Sequence, residues 1–300
     1  MGKYIEKCKR ICRNPRQYVD YLLTLWLSPL FPDRMYIKLL SKLRFGKAFD
    51  LEHPETFNEK LNWIKLNDRK PVYTRMADKL TAKEFAAERI GQEYIVPLYG
   101  SWSKVEDIDF NSLPDKCMLK ANGDSCGRYV YEKEKGVDMK ALKKKLQSAY
   151  PFNYYYQSRE WPYKNIPRKI LAEKFIENDG QVITELKWWC FNGQPKIFEI
   201  TCKGGDVHET FYDEDFKPFM MNHNVPRHIP EFEKPEPFDL LKELASKLAK
   251  DTYFLRCDFM YVKGKVWFEE MTFFDWGGFR PFQADWDKVL GKYIQLPTDK

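Results

Sequence analysis

The stretch CDFMYVKGKVWFEEMTFF, residues 257–274, constrains the fold more than any other part of the chain. Two aromatic-rich apolar runs flank a Lys-Gly pair, the pattern of a β-hairpin. Yet Asp258 stands inside the first run, and Glu269 and Glu270 stand inside the second. Strands disfavour acids, and an unpaired buried carboxylate is costly or changes its pKa. Alternate strand residues share a face. Arg256, Asp258 and Met260 therefore lie together, as do Phe268, Glu270 and Thr272. A two-residue turn at Lys263-Gly264 sets Glu269 across from Asp258, and a three-residue turn sets Glu270 there instead. Either way two carboxylates meet on one face, where at ~5 Å they repel by ~1 kcal/mol even in water. Arg256 offsets part of that, and a magnesium ion, which takes one or two carboxylates, offsets more. A solvated pair on an exposed face is the plainer alternative.

The composition is that of a folded protein: 43% apolar and 16% aromatic residues in a chain of 300 exclude the disordered class. A net charge of +6 suits a nucleotide, an acidic sugar or an anionic membrane surface, and is too weak to indicate nucleic acid. Seven irregularly spaced cysteines with no C-x-x-C pair read as reduced thiols of a cytoplasmic protein. The apolar run LLTLWLSPLF, residues 22–31, is too short to span a bilayer, and no cleavage site follows it. A buried helix is one reading of this start. A basic amphipathic patch on the inner membrane face, carried by Lys3, Lys7, Lys9, Arg10, Arg13 and Arg16, is the other.

Periodicity predicts helices through about residue 66, in YVDYLLTLWL, MYIKLLSKLRFG and TFNEKLNWIKL. Thr56 and Glu59 have the spacing of a capping box, and Gly46 and Gly91 stand where helices end. From about residue 94 short β-type runs take over, interrupted by helical patterns at 139–150 and 237–251. Hairpins outnumber βαβ units, which indicates an α+β fold. Two parts are expected, a helical N-terminal region over 1–75 and a catalytic domain over 76–300.

Two further motifs carry chemistry. In KCMLKANGDSCGRYVY, residues 116–131, an apolar strand ends in Lys120 and a loop with Gly123 and Gly127 follows. Glycines let backbone N–H groups approach a phosphate, although neither nucleotide fingerprint is matched and an ordinary turn has the same composition. In KILAEKFI, residues 169–176, a strand ends in Glu173. A carboxylate followed by the apolar Phe175-Ile176 backbone can grip adenine, or simply close an edge strand.

Taken in order, PETFNEKLNWIKLNDR, ADKLTAKEF, IVPLYGSW, FNSLPDKCMLKANGDS, ELKWWCFNGQPK, TFYDEDF and LRCDFMYVKGKVWFEEMTFF resemble the TupA-like branch of the ATP-grasp superfamily. The resemblance spans roughly residues 35–295 and is specific as a set. It implies two α+β subdomains gripping ATP, preceded by the helical region. It further implies that Lys79 and Lys120 contact the ATP phosphates and that the loop from Asn122 through Gly123, Asp124 and Ser125 to Gly127 covers them. Glu173 with Phe175 and Ile176 would hold adenine, and Glu185 the ribose. Asp258, Glu270 and Thr272 would bind Mg²⁺, which favours Glu270 over Glu269 as the partner of Asp258. Arg256 and Lys187 would serve the transferring phosphoryl group. The implied activity is an ATP- and Mg²⁺-dependent carboxylate–amine ligation through an acylphosphate, on a cell-surface polysaccharide or its precursor. No protein nucleophile is needed, and His53, His208, His223 and His228 follow no catalytic spacing.

Two other readings stay open. Asp213 and Asp215 form a D-x-D element of the kind glycosyltransferases use, and an ATP-grasp fold can persist without turnover. Trp188, Trp189, Tyr154, Tyr155, Tyr156 and Trp276 offer a sugar platform, or belong to the core.

Overall fold

A computed structural model describes residues 28–123, 127–148, 153–180, 183–202, 208–221, 232–283 and 285–297. The pattern YVDYLLTLWL, the basic start of the chain, Asp124, Ser125 and two histidines, His223 and His228, lie outside them.

The helical half begins with α1 (Asp33–Phe45), which ends in left-handed Gly46. Helix α2 (Phe57–Asn67) opens on the capping box: the Glu59 amide donates to Thr56 Oγ1, and the Thr56 amide donates to the Glu59 carboxylate. Phe57, Leu61 and Ile64 of α2 are buried in the main core. Short α3 (Val72–Ala77) and α4 (Thr81–Ile90) follow.

A four-stranded antiparallel sheet comes next, from β1 (Leu98–Trp102), β2 (Lys116–Ala121), β3 (Arg128–Glu132) and β4 (Ile170–Lys174), in the order β1-β4-β2-β3. Helix α5 (Met139–Ser148) covers one face, where Leu142 and Leu146 meet Cys117, Leu119, Tyr131 and Ala172. Helix α6 (Tyr154–Ser158) lies in the connection to β4.

The larger sheet holds β5 (Glu185–Phe191), β6 (Gln194–Cys202), β7 (His208–Tyr212), β8 (Pro218–Phe219), β9 (Phe254–Val262) and β10 (Lys265–Thr272), in the order β10-β9-β5-β6-β7-β8. Helix α7 (Phe238–Ala249) packs on its back: Phe238, Leu241, Leu244 and Leu248 meet Leu186, Trp188, Cys190, Leu255, Cys257 and Phe259. Each such buried side chain contributes roughly 1.5–3 kcal/mol. The pairings between these ten strands are all antiparallel, in keeping with an α+β class, and one isolated parallel bridge joins Ile95 to Phe268 of β10.

The front face of the larger sheet divides along its strands. At one end Trp189, Phe191 and Phe254 pack under Phe57 of α2. At the other end the same strands carry Lys187, Glu185, Arg256 and Asp258, and that end faces the four-stranded sheet. Trp188 and Trp189 are both fully buried, which removes them as a sugar platform. Cys117, Cys190, Cys202 and Cys257 are free thiols. Among the described residues no helix is long and apolar enough to cross a membrane.

Helix α8 (Trp286–Gly291) closes the chain against the start of α2. A Cβ on Gly291 would lie 2.1 Å from the carbonyl oxygen of Glu55, and backbone cannot rotate out of the way as a side chain can. Gly291→Ala is expected to lower the unfolding free energy by about 1–3 kcal/mol, the usual cost of overpacking, as read by chemical denaturation.

Candidate active site

The hairpin resolves its register by a route that neither turn length anticipated. Its turn has two residues, Lys263 and Gly264, both with positive φ (51° and 75°), the twist-matched conformation of tight hairpins. Phe268 pairs with Phe259, but the next pair is Glu270 with Asp258, so Glu269 is an inserted bulge residue. A bulge re-aims side chains locally. The Glu269 carboxylate accepts a hydrogen bond from Arg128 Nη2 of β3 at 3.0 Å. The Glu270 carboxylate has Lys79 Nζ at 3.5 Å and Arg256 Nη2 at 3.9 Å. Two consecutive glutamates thus serve one cleft between the two sheets.

Asp258 is buried and gripped by Arg256, whose Nε and Nη2 donate to its two oxygens at 2.8 and 2.7 Å. Arg256 Nη1 also donates to Asp275 at 2.6 Å, and Nη2 reaches Thr272 Oγ1 at 3.3 Å. Asp275 in turn accepts from Arg280, which pairs with Glu209. On the neighbouring strand Lys187, opposite Asp258, donates to Glu199 at 3.0 Å and Thr201 at 2.9 Å, with Glu185 3.3 Å away. Such buried charges survive only when paired this completely. Burial pushes the Asp258 carboxyl up to about 6, against the pull of Arg256. Burial also acts to raise Glu270, but Lys79, Arg256 and Arg128 more than offset it and hold that carboxyl at about 2.

The facing sheet supplies the cations. Glu173, 2% exposed, has Lys120 Nζ at 2.9 Å and Lys83 Nζ at 3.5 Å. Burial would raise its pKa, yet Lys120 and Lys83 hold it below the usual carboxylate range, with Lys79 adding to the effect. Lys79 and Lys120 therefore act on one cleft. Lys83 is absent from the sequence-based set, although it follows Lys79 at the i, i+4 spacing that places both on one helical face. Asn122 ties the strand end to α4: its amide nitrogen donates to Asp78 at 2.8 Å, and its carbonyl accepts from the Lys79 amide at 3.4 Å. A Cβ on Gly123 would meet nothing within 4 Å. Phe175 and Ile176 lie just past the last paired residue of β4, with Lys116 Nζ 4.3 Å from the Phe175 ring centroid.

A cavity of about 440 Å³ opens beside this charged cluster. Lys79, Asn122, Arg256, Glu270 and Thr272 form one wall, and Tyr154, Glu160, Tyr163 and Trp276 form another. Of the candidate sugar-binding aromatics, Tyr154 and Trp276 reach this cavity, and Tyr155 is buried beneath it against Asp33. The D-x-D element lies elsewhere. Asp213 caps its own turn, accepting from the Asp215 and Lys217 amides at 2.9 and 2.8 Å, and local turn geometry accounts for its presence.

A family model for TupA-like ATP-grasp proteins matches residues 59–295. The chain belongs to the TupA-like ATP-grasp family. No curated protein matches the sequence. Among solved structures, the chain is similar to D-alanine–D-alanine ligase from Bacillus anthracis complexed with ATP, with 17% identity over 66% of this chain and 54% of that one and a TM-score of 0.39. It is also similar to N5-carboxyaminoimidazole synthetase from Staphylococcus aureus complexed with ADP, with 15% identity over 88% and 59% and a TM-score of 0.43. The chain spans between half and two thirds of the length of these two structures.

The donor set of this ATP-grasp chain fits a magnesium ion. Among the described residues Glu270 keeps only contacts longer than a charge-assisted hydrogen bond, and each Asp258 oxygen keeps a lone pair beyond the one given to Arg256. Among the described residues no group of three or more His, Cys, Asp or Glu converges at metal-binding distances. Two carboxylates plus phosphate and water is the set Mg²⁺ commonly takes.

Because the folded state lowers the Glu173 pKa from 4.5, the ionised group stabilises the fold above that value, and the stabilisation is lost as acid titrates it. Melting temperature measured against pH is expected to fall more steeply below about pH 4.5 in the wild type than in Glu173→Gln.

Proposed function

We propose that this chain is an ATP- and Mg²⁺-dependent carboxylate–amine ligase that works through an acylphosphate and attaches an amino acid to a cell-surface polysaccharide or its precursor. The observation that carries the reading is the opposition of Asp258 and Glu270 across the hairpin, with lysines from the facing sheet and α4 directed at the same cleft. Membership of the family supports the polysaccharide context, and the charge pattern supports the chemistry.

In this reading Lys79, Lys83 and Lys120 extend from Glu270 and Glu173 to the ATP phosphates while staying close enough to those carboxylates to offset their charge. Glu173 and the unpaired backbone at Phe175 and Ile176 take adenine, Glu185 takes the ribose, and the loop from Asn122 to Gly127, including Asp124 and Ser125, lies over the phosphates. Asp258 and Glu270, with Thr272 beside them, hold Mg²⁺, which supplies positive charge to the phosphate oxygens. A substrate carboxylate oxygen bonds to the γ-phosphorus as the bond to ADP breaks. Arg256, fixed by Asp258 and Asp275, presents its guanidinium where charge develops, and preorganised charge of this kind is the main catalytic resource of phosphoryl transfer. The amine, having given up its ammonium proton to solvent, then bonds through nitrogen to the acyl carbon, phosphate leaves with the electron pair, and the nitrogen loses a second proton to solvent or to the departing phosphate. Lys187, enclosed by Glu185, Glu199 and Thr201, keeps positive charge beneath Asp258. The same reading has the protein work in the cytoplasm, where the basic start of the chain offers a peripheral contact with the inner membrane face.

Calorimetric titration with Mg·ATP tests the reading. Asp258→Asn and Glu270→Gln are each expected to weaken Mg·ATP at least tenfold, roughly 1.4 kcal/mol, while Asp213→Asn leaves it unchanged. Binding of a UDP-sugar that Asp213→Asn abolishes would instead identify a glycosyltransferase.

A further inference from the structure

The cavity beside Glu270 has a second acidic wall that the proposed phosphoryl chemistry does not use. Glu160 lines it and is 7% exposed. One carboxylate oxygen accepts a hydrogen bond from Ser158 Oγ at 2.6 Å. Among the described residues no cation stands within 4 Å of the carboxylate, and its other oxygen has no hydrogen-bond partner. Of the other cavity acids, Glu269 gives one oxygen to Arg128 while its second is buried without a hydrogen-bond partner among the described residues, Glu270 lies 3.5 Å from Lys79 Nζ, and Asp275 is held by Arg256 and Arg280.

The nearest candidate for a structural counter-charge is Lys65, and its donors point elsewhere, to Asn62 Oδ1 and to the carbonyls of Ser158 and Gly277. Gly277 leaves room for this arrangement, since a Cβ there would approach Ser158 Oγ to 2.8 Å and Glu160 Oε1 to 3.2 Å. Tyr154, Tyr163 and Trp276 complete the wall, and aromatic rings around an anion make a site for an alkylammonium group. A nine-tenths buried carboxylate with one open oxygen is stabilised by an incoming cation far more than a solvated one.

We propose that Glu160 binds the ammonium group of the amine substrate and holds it in the cavity opposite Arg256 and Glu270. This rests on the ligase reading and adds the amine subsite to it. The shared chemistry is a primary ammonium, whether of an amino acid or of an amino sugar. Burial pushes the Glu160 carboxyl up to about 6, with Lys65 pulling it down.

The test titrates amine probes into the full chain saturated with Mg²⁺ and a non-hydrolysable ATP analogue. The probes are glycine, L-alanine, L-glutamate, L-lysine and glucosamine, with N-acetylglucosamine and glucuronate as controls without the ammonium. At least one ammonium probe is expected to bind the wild type, and Glu160→Gln to weaken it tenfold or more while the affinity for the ATP analogue changes less than twofold. Binding by the amino acids or by glucosamine identifies the source. The proposal is overturned if no ammonium probe binds, or if Glu160→Gln binds them as the wild type does, including the case where only its melting temperature moves. Should Glu160→Gln fail to fold, Glu160→Asp keeps the charge but withdraws it by one methylene. A fivefold or greater loss of amine affinity is then expected, and no loss overturns the proposal. An ATP analogue that fails to bind the wild type removes the ligase reading itself, and a separate failure of the amine arm removes only this inference.

Discussion

The guanidinium of Arg256 holds the site together. It lies largely enclosed between Asp258 and Asp275 and makes five contacts to oxygen, four on the sheet and one to Asp275 in the turn after β10. Taking such ions out of water carries a penalty of several kcal/mol each, which close pairing only just offsets. The sheet can carry them because its other face is an uninterrupted apolar contact with α7, and because Trp189, Phe191 and Phe254 on the same face give α2 an apolar seat of its own. Stability and chemistry are thus divided along the strands as well as across the sheet.

Much of this division is legible in the sequence. The alternation in LRCDFMYV, the capping box at Thr56 and the stops at Gly46 and Gly91 are local signals, and the helices and strands fall where they point. That Lys79, Lys120, Glu173, Asp258 and Glu270 face one cleft was readable through the family resemblance, whose motifs are specific as a set and weak one by one. The pairing of Glu270 with Asp258 follows from the resemblance, but the route to it was not readable. A two-residue turn followed by a bulge reaches the same pairing as a longer turn, and the bulge depends on what the extra residue meets across the cleft, here Arg128, which is 141 positions away in the chain.

Lys83 and Glu160 were missed for different reasons. Lys83 lay inside a quoted motif and needed only the helical spacing to be followed one turn further. Glu160 lies in an irregular connection, SREWPYKN, with no periodicity to orient it. Its importance comes from a cavity that forms only when α6, the segment after β10 and the strand ends of both sheets come together. Thr272 and Lys187 show the converse. Motif position marked them, while the folded chain gives both of them neighbours, Arg256 for one and Glu199 with Thr201 for the other, that already occupy their polar atoms.

The bulge at Glu269 has a consequence for how this hairpin tolerates change. In a regular strand adjacent residues look in opposite directions, so a glutamate for each wall of the cleft would take three positions. Here two suffice, and the odd residue is absorbed by the ladder. Lengthening the turn at Lys263-Gly264 alters only an exposed tip, whereas removing a single residue between Phe268 and Glu270 would leave the strand one carboxylate short and one wall without its partner. Insertions and deletions in related chains should therefore collect at the tip of this hairpin and be purged a few residues further along.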